Sequence, residues 1–339
     1  MKAVVHSVTG DPDVLYLTDR PVPEPGRGEV RVRLHRSGVN PTDWKTRRGG
    51  GPGQPLPFAE VVPNQDGAGT IDAVGSGVDP DRHGQRVWIW EAAWGRADGT
   101  AQEFVVLPER HAVPLPDTAS FDLGASLGIP ALTAHRCLTV TGDGTDRVGP
   151  GTHTGRAILV AGGAGAVGNA AIQLAVWAGA DVITTVSGDF KADLARAAGA
   201  RHVVNYRAED ATDAIRKIAP DGVDTVVEVS PARNAALDAA VVGRYGVVAV
   251  YADDGAQLVL PIRPLMVPNA RWQFILVYTM PEQAKLHAVA DVAAAVEAGA
   301  LRVGQDAGLP LHHFSLERTA NAHAAVEANT IGKVLIDIS

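Results

Sequence analysis

The stretch AILVAGGAGAVGNAAIQLAVWAGADVITTVSG, from Ala157 to Gly188, decides the fold of this chain. It begins with an apolar run and passes through a turn rich in glycine and alanine. It continues as an alanine-rich amphipathic segment and ends in a second apolar run, Val182 to Val186. That order is typical of a strand, a tight turn, a helix and a second strand. The turn reads G-x-G-x-x-G from Gly163 to Gly168, which in this setting predicts a dinucleotide-binding βαβ unit.

The residue types of the turn fit that chemistry. Gly163 permits a tight turn, Gly165 removes a Cβ where a pyrophosphate approaches the backbone, and Gly168 lets the helix pack on the strand. Backbone N–H groups at the start of the helix then bind the phosphates. A packing role alone is the competing explanation for such glycines. The candidate phosphate-binding residues are Gly163, Ala164, Gly165, Ala166, Val167 and Gly168.

The end of the second strand indicates which dinucleotide is bound. An acid there would bind the ribose 2′-OH of NAD. Here the run ends at Ser187, and the first acid, Asp189, is interpreted as the N-cap of the next helix. Ser187, Lys191 and Tyr206 offer donors to a 2′-phosphate, although an ordinary solvated lysine is the alternative for Lys191. The sequence therefore favours NADP(H).

Outward from this unit, the pattern changes twice along the chain. The first third contains short alternating runs separated by glycine and proline, which predicts a small barrel or twisted sheet. After Ala157, apolar strands alternate with helical segments, which predicts a parallel, doubly wound sheet. The last part, with a long alanine-rich helix near residues 281–299 and the closing strand GKVLIDIS, returns to the first domain. The predicted fold class is α/β.

Composition excludes several classes of protein. The 339 residues are 46% hydrophobic, with no apolar run long enough for a membrane span and no signal-peptide pattern. A formal net charge of −8, with no basic run beyond KTRR at residues 45–48, argues against nucleic-acid or acidic-membrane partners. The single Cys137 excludes a disulfide framework within the chain and fits a cytoplasmic location.

Six segments together resemble the medium-chain dehydrogenase/reductase superfamily, most closely its zinc-free NADPH:quinone oxidoreductases, the zeta-crystallin-like group. They are SGVNPTDWKTRRGG, NQDGAGTIDAVGSGV, GASLGIPALTAHRCL, VAGGAGAVGNAAIQLA, AGARHVVNYR and IGKVLIDI. The resemblance implies a GroES-like β-rich catalytic domain split around a Rossmann domain, with the active site in the cleft between them. The implied boundaries are 1–127 and 267–339 for the catalytic domain and 128–266 for the NADP-binding domain.

The resemblance also predicts that no metal is bound. Zinc-using members carry Cys and His-Glu where this chain has Asn40 and Gln65-Asp66. A catalytic zinc needs three protein ligands of the N, S or O type, and amides are poor ones. The eleven histidines include no H-x-x-x-H pair, and the His312-His313 pair lies in what is predicted to be a surface segment.

Without a Lewis acid, the acceptor is expected to be conjugated, because a quinone or an enone spreads the arriving charge onto oxygen. The family motifs place Asn40, Lys45 and Thr133 near the nicotinamide as candidate catalytic residues. Relatives commonly have Tyr at the position of Lys45, which is expected to lie on a mobile loop. A solvated basic loop is the alternative for Lys45, Arg47 and Arg48. The candidate substrate pocket consists of Trp44, Asp66 and Arg48.

Further cofactor contacts are implied by the resemblance alone. Thr184 is expected near the adenosine ribose and Tyr206 near the adenosine phosphate. Lys333 is expected to close the cleft. Asn234 and the strand-end residues complete the set: Val250, Tyr251, Ala252, Asp253, Phe274, Ile275 and Leu276. The loop at 142–156 is longer than in relatives and receives no functional interpretation.

Three functions stay open at this point. The first is an NADPH-dependent quinone or enone reductase. The second is a specialised-metabolite ene reductase in which Lys45 and Arg48 bind an anionic substrate group. The third is a crystallin-like protein that binds nucleotide without turnover. The segment LVLPIRPL resembles a pattern that relatives use for edge-strand pairing between subunits, which implies a homodimer, and a tetramer is the alternative.

Overall fold

The computed structural model describes residues 1–142, 144–253 and 255–338. Its strands are β1 (Lys2–Val5), β2 (Tyr16–Asp19), β3 (Glu29–Val39), β4 (Asp66–Val74), β5 (Arg86–Ile89), β6 (Phe104–Pro108), β7 (Ala112–Pro114), β8 (Ala157–Ala161), β9 (Asp181–Val186), β10 (His202–Asn205), β11 (Val223–Glu228), β12 (Val242–Val250), β13 (Arg271–Phe274), β14 (Leu311–Ser315) and β15 (Lys333–Asp337). Its helices are α1 (Pro41–Arg48), α2 (Phe121–Thr139), α3 (Ala166–Trp177), α4 (Asp189–Ala197), α5 (Ala211–Ile218), α6 (Pro231–Val241), α7 (Ile262–Met266), α8 (Glu282–Glu297) and α9 (Thr319–Glu327).

The chain forms two compact units. The first unit comprises residues 1–129 and 311–339, and the second comprises residues 130–310. The second unit thus continues to Pro310, whereas the sequence placed the return to the first domain at residue 267. The physical reason lies in β13, which pairs with β12 and so extends the sheet of the second unit beyond that boundary.

The first unit is built on a sheet in the order β14-β15-β3-β4-β5-β7, with β6 also paired to β3. Strand β3 pairs antiparallel with both β4 and β15. Alternating residues of β3, such as Val30, Val32 and Leu34, are fully buried and pack with Ile71 of β4. This alternation is the pattern that predicted short strands from the sequence.

The second unit is a six-stranded parallel sheet in the order β10-β9-β8-β11-β12-β13. Its central strands are apolar on both sides, as expected for a sheet covered by helices. The strand order reverses between β8 and β11, and ligands of such sheets bind outside the carboxyl ends of the strands at this reversal. The predicted doubly wound α/β sheet is confirmed.

The loop at 142–156 has a structural role. Its Arg147 side chain and Val148 amide both donate to the carboxylate of Asp291 on α8. The oxygen of Asp291 that accepts from the Val148 amide also lies 2.8 Å from His135 Nε2 of α2. Asp291 therefore joins the loop to two helices. Asp143, within the same loop, lies outside the described residues.

Candidate functional site

The glycine turn follows β8 at the reversal of the strand order. Gly162 has φ 70° and provides the left-handed residue of the turn, a role that the sequence had given to Gly163. Gly163 is required for packing instead, because a Cβ there would lie 2.2 Å from Thr184 Oγ1. Gly168 is equally constrained, since a Cβ would lie 2.5 Å from the Gly162 carbonyl oxygen.

Gly165 is the residue of this turn that the fold does not require. It precedes α3 as its N-cap with φ −86° and ψ 164°, which any residue adopts. A Cβ there would meet only the Gly162 carbonyl oxygen, at 3.5 Å, an ordinary contact. A glycine that neither backbone strain nor packing requires, at the start of a helix, fits the close approach of a phosphate group. The residues present therefore fit a dinucleotide.

Of the residues predicted near the adenosine end, three lie together and one does not. Ser187 and Lys191 follow the end of β9, and the Tyr206 amide donates to the Val186 carbonyl at 3.1 Å, so these residues share one corner of the sheet. Thr184, by contrast, is fully buried and its hydroxyl donates to the Val160 carbonyl at 2.7 Å. Its role is to support the glycine turn.

Asp189 does not cap α4 as predicted. The N-cap of α4 is Gly188, and Asp189 is the first residue of the helix, where its charge favours the helix dipole. Strand β9 ends at Val186 and is followed by Ser187, which is not an acid. A 2′-phosphate therefore remains favoured whichever residue caps α4.

An acidic pair, Glu228 at the end of β11 and Asp238 in α6, was not predicted from the sequence. Asn234 Nδ2 donates to both carboxyl oxygens of Glu228, at 3.0 and 3.1 Å. Burial and the neighbouring Glu228 raise the pKa of Asp238 well above its usual range, and burial raises the pKa of Glu228 as well. The only sequence signal was a lone acid ending the apolar run VDTVVE.

The other predicted cofactor residues of this unit lie at the ends of neighbouring strands. The Tyr251 amide donates to the Glu228 carbonyl at 3.1 Å and the Ile275 amide to the Val250 carbonyl at 2.8 Å. Phe274 and Leu276 are exposed. The set Val250, Tyr251, Ala252, Asp253, Phe274, Ile275 and Leu276 thus follows the carboxyl ends of β12 and β13.

In the first unit, four buried side chains form a hydrogen-bonded group, which we call the Lys333 cluster: Asn40, Asp43, Asp66 and Lys333. Asn40 Nδ2 donates to Asp66 Oδ2 at 2.7 Å, and Lys333 Nζ donates to Asn40 Oδ1 at 2.7 Å. Lys333 Nζ also lies 3.6 Å from Asp66 Oδ2. The second oxygen of Asp66 accepts from the Ile129 amide at 2.8 Å.

The charges of the Lys333 cluster are balanced by a proton. Burial and the Asp66 carboxylate raise the pKa of Asp43 to about 8. The backbone N–H of Asn40 donates to one oxygen of the Asp43 side chain at 2.7 Å. A proton on Asp43 at neutral pH leaves Lys333 and Asp66 as the charged pair. Burial lowers the pKa of Lys333 and raises the pKa of Asp66, and the charge of each opposes the shift of the other. Lys333, expected to contact the cofactor, and Asp66, expected to line the substrate pocket, are both buried here, and these two roles stay predictions.

The basic segment after Asn40 is helix α1, not a mobile loop. Arg47 is fully buried and donates to Glu327 Oε2 at 2.8 Å, which excludes the interpretation of this residue as solvated. Arg48 is 55% exposed and pairs with the other oxygen of Glu327 at 2.8 Å. Lys45 is exposed, with its ammonium 5.9 Å from the ring centre of Trp44. Thr133 lies in α2, within the second unit, and is buried.

Two family models match the chain. The alcohol dehydrogenase GroES-like domain matches residues 26–117, and the zinc-binding dehydrogenase model matches residues 166–295. The quinone oxidoreductase of Mus musculus is 32% identical over 255 residues, which cover 74% of this chain and 72% of the relative.

The chain belongs to the quinone oxidoreductase-like group of the medium-chain dehydrogenase/reductase superfamily.

Solved structures share the fold over the whole chain. An NAD-dependent alcohol dehydrogenase is 30% identical with a TM-score of 0.83, with 100% of both chains covered. A mycobacterial protein solved in complex with NADPH is 26% identical with a TM-score of 0.80, with 99% of each chain covered. The GroES-like and Rossmann architecture and an oxidoreductase function are thereby confirmed.

The residues of the first unit do not fit the catalytic zinc that one family model names. Zinc ligands lie about 2.0–2.3 Å from the metal. Asn40 Oδ1 and Asp66 Oδ2 both face the Lys333 ammonium, at 2.7 and 3.6 Å. Gln65 Oε1 accepts from the Ala93 amide at 3.0 Å. Across residues 1–142, 144–253 and 255–338, no group of three His, Cys, Asp or Glu side chains has the geometry of a metal site.

None of the helices within the described residues is long and apolar enough to cross a membrane.

Proposed function

We propose that this protein reduces a quinone or another conjugated carbonyl compound with NADPH and without zinc. The observation that carries the proposal is the Lys333 ammonium between Asn40 and Asp66, the positions of metal ligands in zinc-using members. With a fixed cation in place of a Lewis acid, a simple ketone or alcohol is a poor substrate. A conjugated acceptor, which spreads the arriving charge, is a good one.

NADPH, when bound, supplies the hydride. In the proposal the turn from Gly163 to Gly168 holds its phosphates and the corner of Ser187, Lys191 and Tyr206 holds its 2′-phosphate. Asn40 stabilises the negative charge that develops on the acceptor oxygen. Its side-chain nitrogen carries two hydrogens, one of which Asp66 accepts. Lys45, exposed on α1, or water supplies a proton where the reduced acceptor needs one on carbon.

The pairing of Arg48 with Glu327 disfavours the ene reductase in which Arg48 binds an anionic group, because that charge is already compensated. The segment LVLPIRPL, expected to pair as an edge strand, lies within the described residues and contains no strand, and its second half begins helix α7.

We propose a homodimer on another ground, because β13 is the edge strand of the parallel sheet and the nearby side chains of Ile262, Met266, Val267, Phe274 and Leu276 are exposed and apolar. A cytoplasmic location is consistent with the one, buried, unpaired Cys137.

Turnover with a panel of acceptors tests the proposal. Purified protein should oxidise NADPH with quinones or enones and not with simple ketones, with unchanged rates after treatment with a chelator. Elemental analysis of the same sample should show no stoichiometric zinc. Chelator-sensitive turnover with one zinc per chain would contradict the metal-free assignment, and NADPH binding without any turnover would favour the crystallin-like alternative.

Gly165→Ala should weaken NADPH binding at least tenfold, because the added Cβ occupies the space through which the phosphate approaches. The free energy of unfolding should change by less than about 1 kcal/mol, because the site tolerates a Cβ. Isothermal titration and urea unfolding measure the two effects. Gly168→Ala is the matched control: it should lower stability strongly, since its Cβ would overlap the Gly162 carbonyl. Unchanged NADPH affinity in Gly165→Ala would remove the phosphate role.

Lys191→Ala should weaken NADPH binding and leave NADH binding nearly unchanged. A charge-assisted hydrogen bond to phosphate contributes about 1.5–3 kcal/mol, which corresponds to roughly 10- to 150-fold in Kd. The wild-type protein should accordingly prefer NADPH. Dissociation constants of both cofactors for both proteins decide this, and equal affinities in the wild type, or tighter NADH, would refute the preference.

A further inference from the structure

We propose that Lys333 is a positioning residue, a fixed cation that holds the Asn40 side-chain amide in the orientation in which its nitrogen donates. The inference rests on the proposed function, in which Asn40 is the donor to the acceptor oxygen. It assigns to Lys333 a role different from the cofactor contact that the sequence suggested.

The sheet register brings the four side chains together. Val334 of β15 is paired with Val39 of β3, so Lys333 and Asn40 lie one residue beyond that pair on adjacent strands. On the other side of β3, Gly38 is paired with Asp66 of β4. A Cβ on Gly38 would lie 2.0 Å from the Ala125 carbonyl oxygen and 3.1 Å from Lys333 Cε, so the missing side chain leaves room for the backbone of α2 and for the lysine stem. The juxtaposition is built into three neighbouring strands.

Hydrogen-bond chemistry then fixes the amide. An ammonium group only donates, and a carboxylate only accepts. Lys333 Nζ must therefore face Asn40 Oδ1, and Asp66 must face Asn40 Nδ2, which are the two contacts observed at 2.7 Å. With both neighbours present, a flipped amide would place an oxygen against a carboxylate and a nitrogen against an ammonium. Lys333 and Asp66 together therefore exclude the flipped orientation of the Asn40 amide.

Lys333 has two effects that can be measured separately. It balances the charge of Asp66, which contributes to stability, and it orients Asn40, which contributes to turnover. Replacing Asp66 by asparagine removes the carboxylate that balances Lys333 and also the charge that, together with burial, raises the pKa of Asp43. Asp43 then becomes the counter-charge of Lys333 and can take up a proton when Lys333 is lost. The asparagine at position 66 can both donate and accept a hydrogen bond, whereas the Lys333 ammonium can only donate. Lys333 is then the only neighbour that distinguishes the oxygen of the Asn40 side chain from its nitrogen. Orientation then depends on Lys333 alone.

The test is a cycle of four proteins: wild type, Lys333→Met, Asp66→Asn and the double variant. Removing Lys333 should lower kcat for a quinone at least tenfold in both the wild-type and the Asp66→Asn background. In urea unfolding, the same replacement should cost much stability in the wild-type background and little in the Asp66→Asn background. The Kd of NADPH should change less than threefold throughout. If Lys333→Met fails to fold, the comparison rests on the two proteins that contain Asp66→Asn.

Two results would overturn the proposal. If kcat in the Asp66→Asn background changes less than threefold on loss of Lys333, the lysine only balances charge. If NADPH affinity falls tenfold while kcat is kept, Lys333 contacts the cofactor.

A readout independent of turnover separates this proposal from the proposed function. In protein labelled with ¹⁵N-asparagine, the Asn40 side-chain signals, assigned by their loss in Asn40→Asp, should show slow hydrogen exchange. The exchange should accelerate at least tenfold in the double variant relative to Asp66→Asn. Equal exchange in those two proteins would refute the orienting role even if the enzyme proves inactive with every quinone.

Discussion

Asn40→Ala is expected to lower kcat for a quinone by about 10²- to 10³-fold while the Kd of NADPH stays within a few-fold. The reason is that one donor to a developing oxyanion contributes about 2.7–4 kcal/mol to lowering the barrier. Asn40 belongs to the first unit, whereas the glycine turn belongs to the second, so its loss leaves the turn intact. Steady-state kinetics together with NADPH titration measure both quantities.

The same kinetics on one quinone and one enone separate Asn40 from Lys45. Loss of Asn40 should affect both substrates, since both develop charge on oxygen. Lys45→Ala should affect the enone more, because its carbon must be protonated, whereas the oxygens of a reduced quinone exchange protons with water. Equal losses on the two substrates would remove the protonating role of Lys45, and an unchanged kcat in Asn40→Ala would remove the oxyanion role.

Asp291→Ala is expected to lower the free energy of unfolding by about 3 kcal/mol or more. The side chain is 4% exposed and accepts from the Val148 amide, Arg147 and His135. Its removal leaves buried donors without a partner, and each such donor costs about 1–3 kcal/mol. Urea unfolding of the two proteins at neutral pH measures the difference.

The contribution of Asp291 should also depend on pH. Burial alone would raise the pKa of Asp291, but hydrogen bonds from His135, Arg147 and the Val148 amide outweigh it and lower the pKa to about 2. The unfolded value is near 3.9. The stabilisation is therefore complete above the unfolded pKa and is lost as the pH falls from about 4 through 2.

Arg147→Ala is the control for Asp291. Its own side chain is 50% exposed, and its removal leaves Asp291 hydrogen-bonded to the Val148 amide and to His135, so it should cost less stability than Asp291→Ala. If both variants cost the same, the buried amide and histidine contribute nothing, and the argument for Asp291 fails.

The sequence predicted the second unit well because its signals are local. A glycine turn between an apolar run and an amphipathic segment, followed by repeated strand–helix alternation, allows few folds. The C-terminal boundary of that unit was harder to predict. Strand β13 is four residues long and largely exposed, so the segment near residue 271 carries no buried-strand pattern, and only its pairing with β12 places it there.

The prediction was weakest where contacts join distant parts of the chain. Arg47 lies in a run of four charged or polar residues, which is typical of a solvated segment. Its burial depends on Glu327, 280 residues later. Lys333 likewise follows a glycine in a closing strand, and nothing local shows that this strand lies beside β3. Periodicity predicts which face of a strand is buried, but not which strand is its neighbour.

The register of β15 has a consequence for the order in which this protein is made. Asn40 and Lys333 are separated by 293 positions, with the whole second unit between them. During translation, β3, α1 and β4 leave the ribosome long before β15. Until then Asp66 lacks its lysine partner, and residues 36–39 of β3 have no partner on the edge that β6 joins only at residues 29–33. The second unit can fold from its own continuous segment, whereas the first unit cannot be completed until residues 311–339 have been made. The donor group of the proposed reaction is therefore completed only after the whole second unit has been synthesised.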